Sequence, residues 1–107
     1  MLSTVVRSAN TAFYAGEFEI AYSVLVDALR LFRRLDNKKA IGIACNNLGN
    51  IMMGMYHEMT KENIQKMAGL TKRQLVAKGI AYFHEAIELG EKAYDEFHDL
   101  HGWTPVC

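Results

Sequence analysis

The densest grouping of side chains able to hold a metal is His98-x2-His101, with Asp95 and Glu91 one and two turns before it. A zinc site needs several such ligands converging on one point. On a helix only His98 shares a face with Glu91 and Asp95, and no cysteine pair or second His motif joins them. These residues read as solvated surface, and no metal is expected. His57 and His84 stand alone, without a Ser or Cys in a recognisable nucleophile motif. Gly42, Gly49, Gly54 and Gly69 are scattered through apolar segments rather than gathered into a loop that could cradle a phosphate. The chain therefore reads as a non-enzyme, with no catalytic residue and no cofactor.

Composition bounds what else it can be. At 107 residues, 50% of them hydrophobic, it has one domain's worth of chain and enough apolar surface for a core. Proline occurs once, at Pro105, and Ala, Leu, Glu, Lys and Met are plentiful without strand-like alternation, which predicts an all-α fold. Twelve basic and twelve acidic side chains cancel, removing the general positive field of a nucleic-acid binder. The charge is nonetheless uneven. Lys61, Lys66, Lys72, Arg73 and Lys78 dominate residues 56–80, whereas Glu85, Glu88, Glu91, Asp95, Glu96 and Asp99 face Lys92 alone among the acids and bases of residues 81–107. Such a split suits solvated faces, or a charged rim that steers a partner or a second copy. Two cysteines, Cys45 and Cys107, make no disulfide framework, so a reducing, cytoplasmic setting is expected. No apolar run reaches the roughly 20 residues that span a bilayer, and no membrane partner is expected. The lack of acids before Glu17 would suit a mitochondrial presequence, but those residues are needed as the first helix.

Four helices position everything else. The first runs from about Ser3 to Ala15 and stops at Gly16. The second starts at Phe18, with Ala21, Leu25, Ala28, Leu29 and Phe32 on one face and Arg30, Arg33 and Arg34 near its carbonyl-rich end. Asp36-Asn37 breaks the chain, and a third helix follows from Lys38 to about Tyr56, with Ile41, Cys45, Leu48, Met52 and Met55 buried. Residues 57–71 read as an irregular insertion, in which Thr60 caps a brief turn and Gly69 ends it. Thr71-Lys72-Arg73-Gln74 matches a capping box and opens a fourth helix to about Phe97. Its expected buried stripe is Leu75, Gly79, Phe83, Ala86, Ile87, Gly90, Tyr94 and Phe97. Methionines at helical spacing usually fill a core; Met59 and Met67, inside the irregular segment, are the ones expected to remain available as an adaptable surface.

The helices repeat. Ala21-x3-Leu25-x2-Ala28-Leu29 lies over Gly79-x3-Phe83-x2-Ala86-Ile87 at an offset of 58, and Ala9-Asn10 lies over Gly49-Asn50 at an offset of 40. The difference, 18, is about the size of the irregular segment, as expected of a duplicated hairpin with an insertion in its second copy. Cys45-x2-Leu48-Gly49-x2-Met52 with Gly79-x3-Phe83, and Val5-x2-Ser8-Ala9-x2-Ala12 with Phe18-x2-Ala21, resemble the tetratricopeptide repeat. Asn46-Asn47-Leu48-Gly49-Asn50 and the 40-residue offset further resemble the longer repeats of Leu-Gly-Asn-type scaffold proteins. The sequence departs from the pattern where Val5 and Cys45 stand for its aromatic residue.

The resemblance implies two such hairpins in an alpha-alpha superhelix, repeat 1 over about 2–35 and repeat 2 over about 37–98. It implies a protein-binding scaffold or adaptor module whose first helices line a groove for a peptide or helix of a partner. Transferred residue by residue, that groove holds Val6, Asn10, Phe13 and Tyr14 beside Asn46, Asn47, Asn50 and Met53. Asn10 and Asn47 also match positions of the clamp with which some relatives hold a terminal carboxylate, but Val6 replaces its cation. Because two repeats make a marginal core, the expectation includes either a longer array or self-association. The alternatives from other classes are a four-helix bundle holding a metal or small ligand in its interior, and a dimerisation element of a larger signalling protein.

Overall fold

The computed structural model describes residues 2–101, with side chains through Glu96. Among these residues the protein is all-α: α1 (Leu2–Tyr14), α2 (Phe18–Arg34), α3 (Lys38–Glu62) and α4 (Lys72–His101). The helices pack in chain order, α2 on α1, α3 on α2 and α4 on α3, with a smaller contact between α1 and α3.

The turns follow from local chemistry. Gly16, at φ 82°, takes the left-handed conformation after α1, and the Gly16 and Glu17 amides donate to the Phe13 and Ala12 carbonyls, a double closure of the helix end. Asp36, at φ 49°, does the same after α2, where the Asp36 and Asn37 amides donate to Arg33 and Phe32. Asn37 then caps α3 by accepting the Ala40 amide at 3.1 Å, so two residues stop one helix and start the next. The capping box before α4 forms as expected: Thr71 N–H donates to Gln74 at 2.9 Å, and Gln74 N–H donates to the Thr71 hydroxyl at 3.2 Å.

The third helix is longer than expected. It continues past Tyr56 to Glu62, so Thr60 lies within it and caps nothing, and the irregular segment shrinks to residues 63–71. The cause is burial: Met52, Met55 and Met59 continue the apolar stripe at helical spacing, and all three side chains are fully buried. Met59 is thus core and is unavailable as a partner surface, while Met67 is half-buried against that core. α3 ends only at Asn63, at φ 53°, beyond which the Ile64 amide donates to the Met59 carbonyl. Ala68 and Gly69 then form a tight turn, both at positive φ, across which Met67 and Leu70 exchange 2.9 Å backbone hydrogen bonds. The Ala68 amide donates to Glu19 at 3.1 Å, tying this loop to the start of α2.

Small residues set how closely the helices lie. Ala9, Ala21, Ala28 and Gly49 are buried, and Ala86 is half-buried against the same core. A Cβ at Gly49 would come within 2.5 Å of the Phe83 ring, and one at Gly79 within 2.8 Å of Met53. Residue sums of 42 with 89 and 49 with 83 along the α3–α4 contact show that these two helices run antiparallel. The stripe expected on α4 is buried only in part. Leu75 and Gly79 are buried and Phe83 and Ala86 half-buried, but Ile87, Gly90 and Tyr94 are exposed, because no further helix lies over that side of α4 among the described residues. Phe97 lies outside the residues whose side chains are described.

Candidate functional site

Two surface depressions contain four of the eight residues that the sequence nominated. One, about 570 Å³, runs along α1 and is lined by Ser3, Val6, Arg7, Asn10, Thr11 and Tyr14. Spacings of three and four put these side chains on one helix face, and Tyr14 is 85% exposed at its end. The second, about 660 Å³, lies between the start of α3 and the later half of α4. Gly42, Ile43, Ala86, Ile87 and Leu89 are among its apolar lining residues, and Asn46, Lys38, Lys39, Lys92 and Glu96 among its polar ones.

The structure does not bring the nominated residues together in one place. Val6, Asn10 and Tyr14 share the α1 depression, whereas Asn46 belongs to the α3–α4 groove. Asn50 and Met53 are exposed on α3. The Asn47 amide is committed locally, donating to the Ile43 carbonyl one turn earlier at 2.8 Å. Phe13 is half-buried: its ring lies over Gly54 of α3 and meets Tyr14 and Phe18 edge-on at 5.5 and 5.3 Å. Its part is to hold α1 against α3. The sequence hides the α3–α4 groove because the helical stripe places Ile87 in the core. The signal was present in Ile80-x6-Ile87-x6-Tyr94, a line distinct from the Gly79-x6-Ala86 line that meets α3.

A polar cluster crosses the junction of α2, α3 and α4. The Arg33 guanidinium donates two hydrogen bonds to Glu85, at 2.6 and 2.9 Å, a bidentate pair between α2 and α4. Those hydrogen bonds hold the Glu85 carboxyl below its usual range, and they raise Arg33 further. The Cys45 thiol, fully buried on α3, is pushed up to about 12, chiefly by burial and then by the Glu85 charge. Burial likewise raises the Tyr82 phenol, with Tyr22 and Cys45 adding to the effect.

Two outcomes follow from this cluster. At pH 8 a thiol of that strength holds a thiolate in only about one molecule in 10⁴. Cys45 in a Cys107→Ser background is therefore expected to resist iodoacetamide while folded and to react fully in denaturant; labelling at equal rates in both states would contradict its placement. Because the folded Glu85 pKa is depressed, its contribution to stability is present above the unfolded carboxylate pKa and fades as pH falls through the folded value. With both partners partly exposed, the pair contributes about 0.5–1 kcal/mol. Glu85→Gln should lose that amount at neutral pH and flatten the acid limb of a denaturation series, whereas an unchanged acid limb would contradict the assignment.

The other charged contacts are exposed: Arg30 with Asp27 at 3.3 Å, Lys38 with Asp36 at 3.5 Å, and His84 with Glu88 at 3.0 Å. Glu91 and Asp95 are exposed, the His98 and His101 side chains lie outside the described residues, and Cys107 lies outside them too. Among the described residues no group of three His, Cys, Asp or Glu side chains is placed to hold a metal, and no helix is long and apolar enough to cross a membrane. Comparison of the chain with protein-family models, with curated proteins and with solved structures gave no match.

Proposed function

We propose that this chain is a non-catalytic protein-interaction module of the tetratricopeptide kind, a scaffold or adaptor that holds a peptide or helix of a partner protein against α1 and α3. The observation that carries this reading is a pair of helices with matched faces. Forty residues apart, Ala9 and Gly49 are buried at the helix crossings, while the neighbours of each, Asn10 and Asn50, reach the surface. Val6 and Asn46 follow the same rule, half-buried and exposed respectively. A periodic surface of this sort suits a ligand that is itself periodic, such as an extended peptide.

The chemistry fits that ligand. Each asparagine amide offers donors and an acceptor, which can hold a peptide backbone whatever its side chains are. Tyr14 and Met53 add apolar area with a polar or adaptable tip. In this reading Asn10, Asn46 and Asn50 carry the polar contacts and Val6, Tyr14 and Met53 the apolar ones, while Phe13 holds α1 against α3 and Asn47 stays bonded to its own helix. The buried, unpaired Cys45 thiol suits a reducing, cytoplasmic setting.

Selection of a displayed random-peptide library against the folded chain tests the proposal. Enriched peptides should bind the wild type at least ten times more tightly than a Tyr14→Ala/Asn46→Ala/Asn50→Ala variant of unchanged helicity. Equal binding to both would remove the proposed face from the account.

A further inference from the structure

We infer that the peptide held along α1 and α3 is an acidic one, recognised by carboxylate side chains within its sequence that meet Arg7 and Lys39. The inference rests on the peptide-binding reading of this face and adds the chemical class of its ligand.

The two hairpins distribute their acidic residues in the same way. α1 contains no Asp or Glu, and α3 contains none before Glu58. By contrast, α2 carries Glu19 and Asp27, and α4 carries Glu85, Glu88, Glu91, Asp95 and Glu96. The whole chain has as many acids as bases, so the lack of acids is local to the first helix of each pair.

Helical phase places the cations among the proposed contact residues. Successive residues turn by about 100°, so Ser3, Arg7, Asn10 and Tyr14 fall within an arc of about 60° on α1, and Lys39, Asn46, Asn50 and Met53 within a similar arc on α3. Arg7 lines the α1 depression with Asn10 and Tyr14, and Lys39 lines the α3–α4 groove with Asn46. Both cations are exposed, and neither has an ion-pair partner among the described residues. Lys38 differs, since it already reaches Asp36 at 3.5 Å. The carboxylate of that groove, Glu96, stands one turn from Lys92, which lines the same groove. Glu58 and Glu62 lie about 100° and 140° round α3 from Lys39, outside the contact arc.

Unpaired cations on a face without acids attract an acidic peptide and repel a basic one, which selects the ligand and speeds its encounter. From Lys39 to Met53 the α3 arc is about 21 Å long, the reach of about six extended residues. A short segment can therefore lay a carboxylate at Lys39 and still run past Asn46 and Asn50. The two cations stand on different helices rather than at one point, so carboxylates along the peptide match them and a single chain terminus does not.

Peptides selected from the displayed random library against the folded chain, then synthesised with amidated C-termini, test the inference. They should be enriched in Asp and Glu over the unselected library and depleted in Lys and Arg. They should bind the charge-reversed Arg7→Glu/Lys39→Glu variant about tenfold more weakly than the wild type, with the neutral Arg7→Gln/Lys39→Gln variant between the two. Arg34→Glu/Lys78→Glu makes the same change in net charge at exposed positions of α2 and α4, and should alter binding by less than about twofold. Circular dichroism checks that all three variants keep the wild-type helicity. Enriched peptides without an acidic excess, equal losses in the two reversed variants, or binding that needs a free C-terminus would overturn the inference and leave the peptide-binding reading standing. A library that yields no binder would remove both.

Discussion

Gly49→Ala should destabilise the protein by about 1–3 kcal/mol, the usual effect of forcing a methyl group into a packed interface. The sign is informative because alanine is the better helix former by about 1 kcal/mol. At Gly49 the new Cβ would meet three carbons of the Phe83 ring at 2.5–2.7 Å, so either the ring or the α3–α4 spacing must give. Gly42 lies one heptad earlier on the same helix and supplies the control. A Cβ there meets the Leu89 Cβ at 3.7 Å, an ordinary contact, so Gly42→Ala should raise stability by up to about 1 kcal/mol through helix propensity. Replacing Phe83 with leucine in the Gly49→Ala background should recover part of the loss, a coupling of at least about 0.5 kcal/mol between contacting positions. Urea denaturation of five proteins, the wild type, the two glycine variants, Phe83→Leu and the Gly49→Ala/Phe83→Leu double variant, measures all of this; equal stabilisation by both glycine substitutions would show that α3 and α4 are not in close contact at Gly49.

Met59→Ala should cost about 2–4 kcal/mol, the range for truncating a fully buried side chain and leaving a cavity. Met59→Leu, which keeps the volume, should cost less than about 1.5 kcal/mol. The contrast separates two views of residues 57–62. As part of an irregular insertion they would tolerate alanine with little loss. As the last turns of α3, carrying a side chain with no exposed surface, they belong to the core that the whole chain shares. Thermal denaturation distinguishes these outcomes readily, since each 1 kcal/mol moves the midpoint of a chain this size by about 4–8 °C. A Met59→Ala midpoint within a degree or so of the wild type would contradict the observed burial.

The ends of α1 and α2 and the starts of α3 and α4 are legible in the sequence because each carries its own local signal. Gly16 and the Asp36-Asn37 pair end or begin helices by local backbone chemistry, and the Thr71–Gln74 box forms between side chains three residues apart. The end of α3 was not legible in the same way. His57, Glu58, Thr60 and Lys61 look like a solvated segment, and only the packing of Met55 and Met59 against the other helices shows that the helix continues. The fate of α4 was half legible. Its small residues at 79 and 86 correctly mark the side that meets α3, but periodicity alone cannot tell a stripe covered by a neighbour from an equally apolar stripe beside it. Periodicity therefore assigns Ile87 and Tyr94 to the interior and leaves the groove that Ile87 lines unmarked. Among the proposed contact residues, Asn46 and Asn47 are adjacent in sequence and alike in chemistry, yet one faces outward and the other is bonded to its own helix, a distinction set by helical phase.

The proposal that α1 and α3 together form the contact surface is tested most directly by mapping where a selected peptide binds, using backbone amide shifts of the labelled chain. The account predicts movements at Val6, Asn10, Tyr14, Asn46, Asn50 and Met53, with residues of α2 unaffected. Movements confined to the line of Ile80 and Ile87 on α4, with those six amides unchanged, would contradict it.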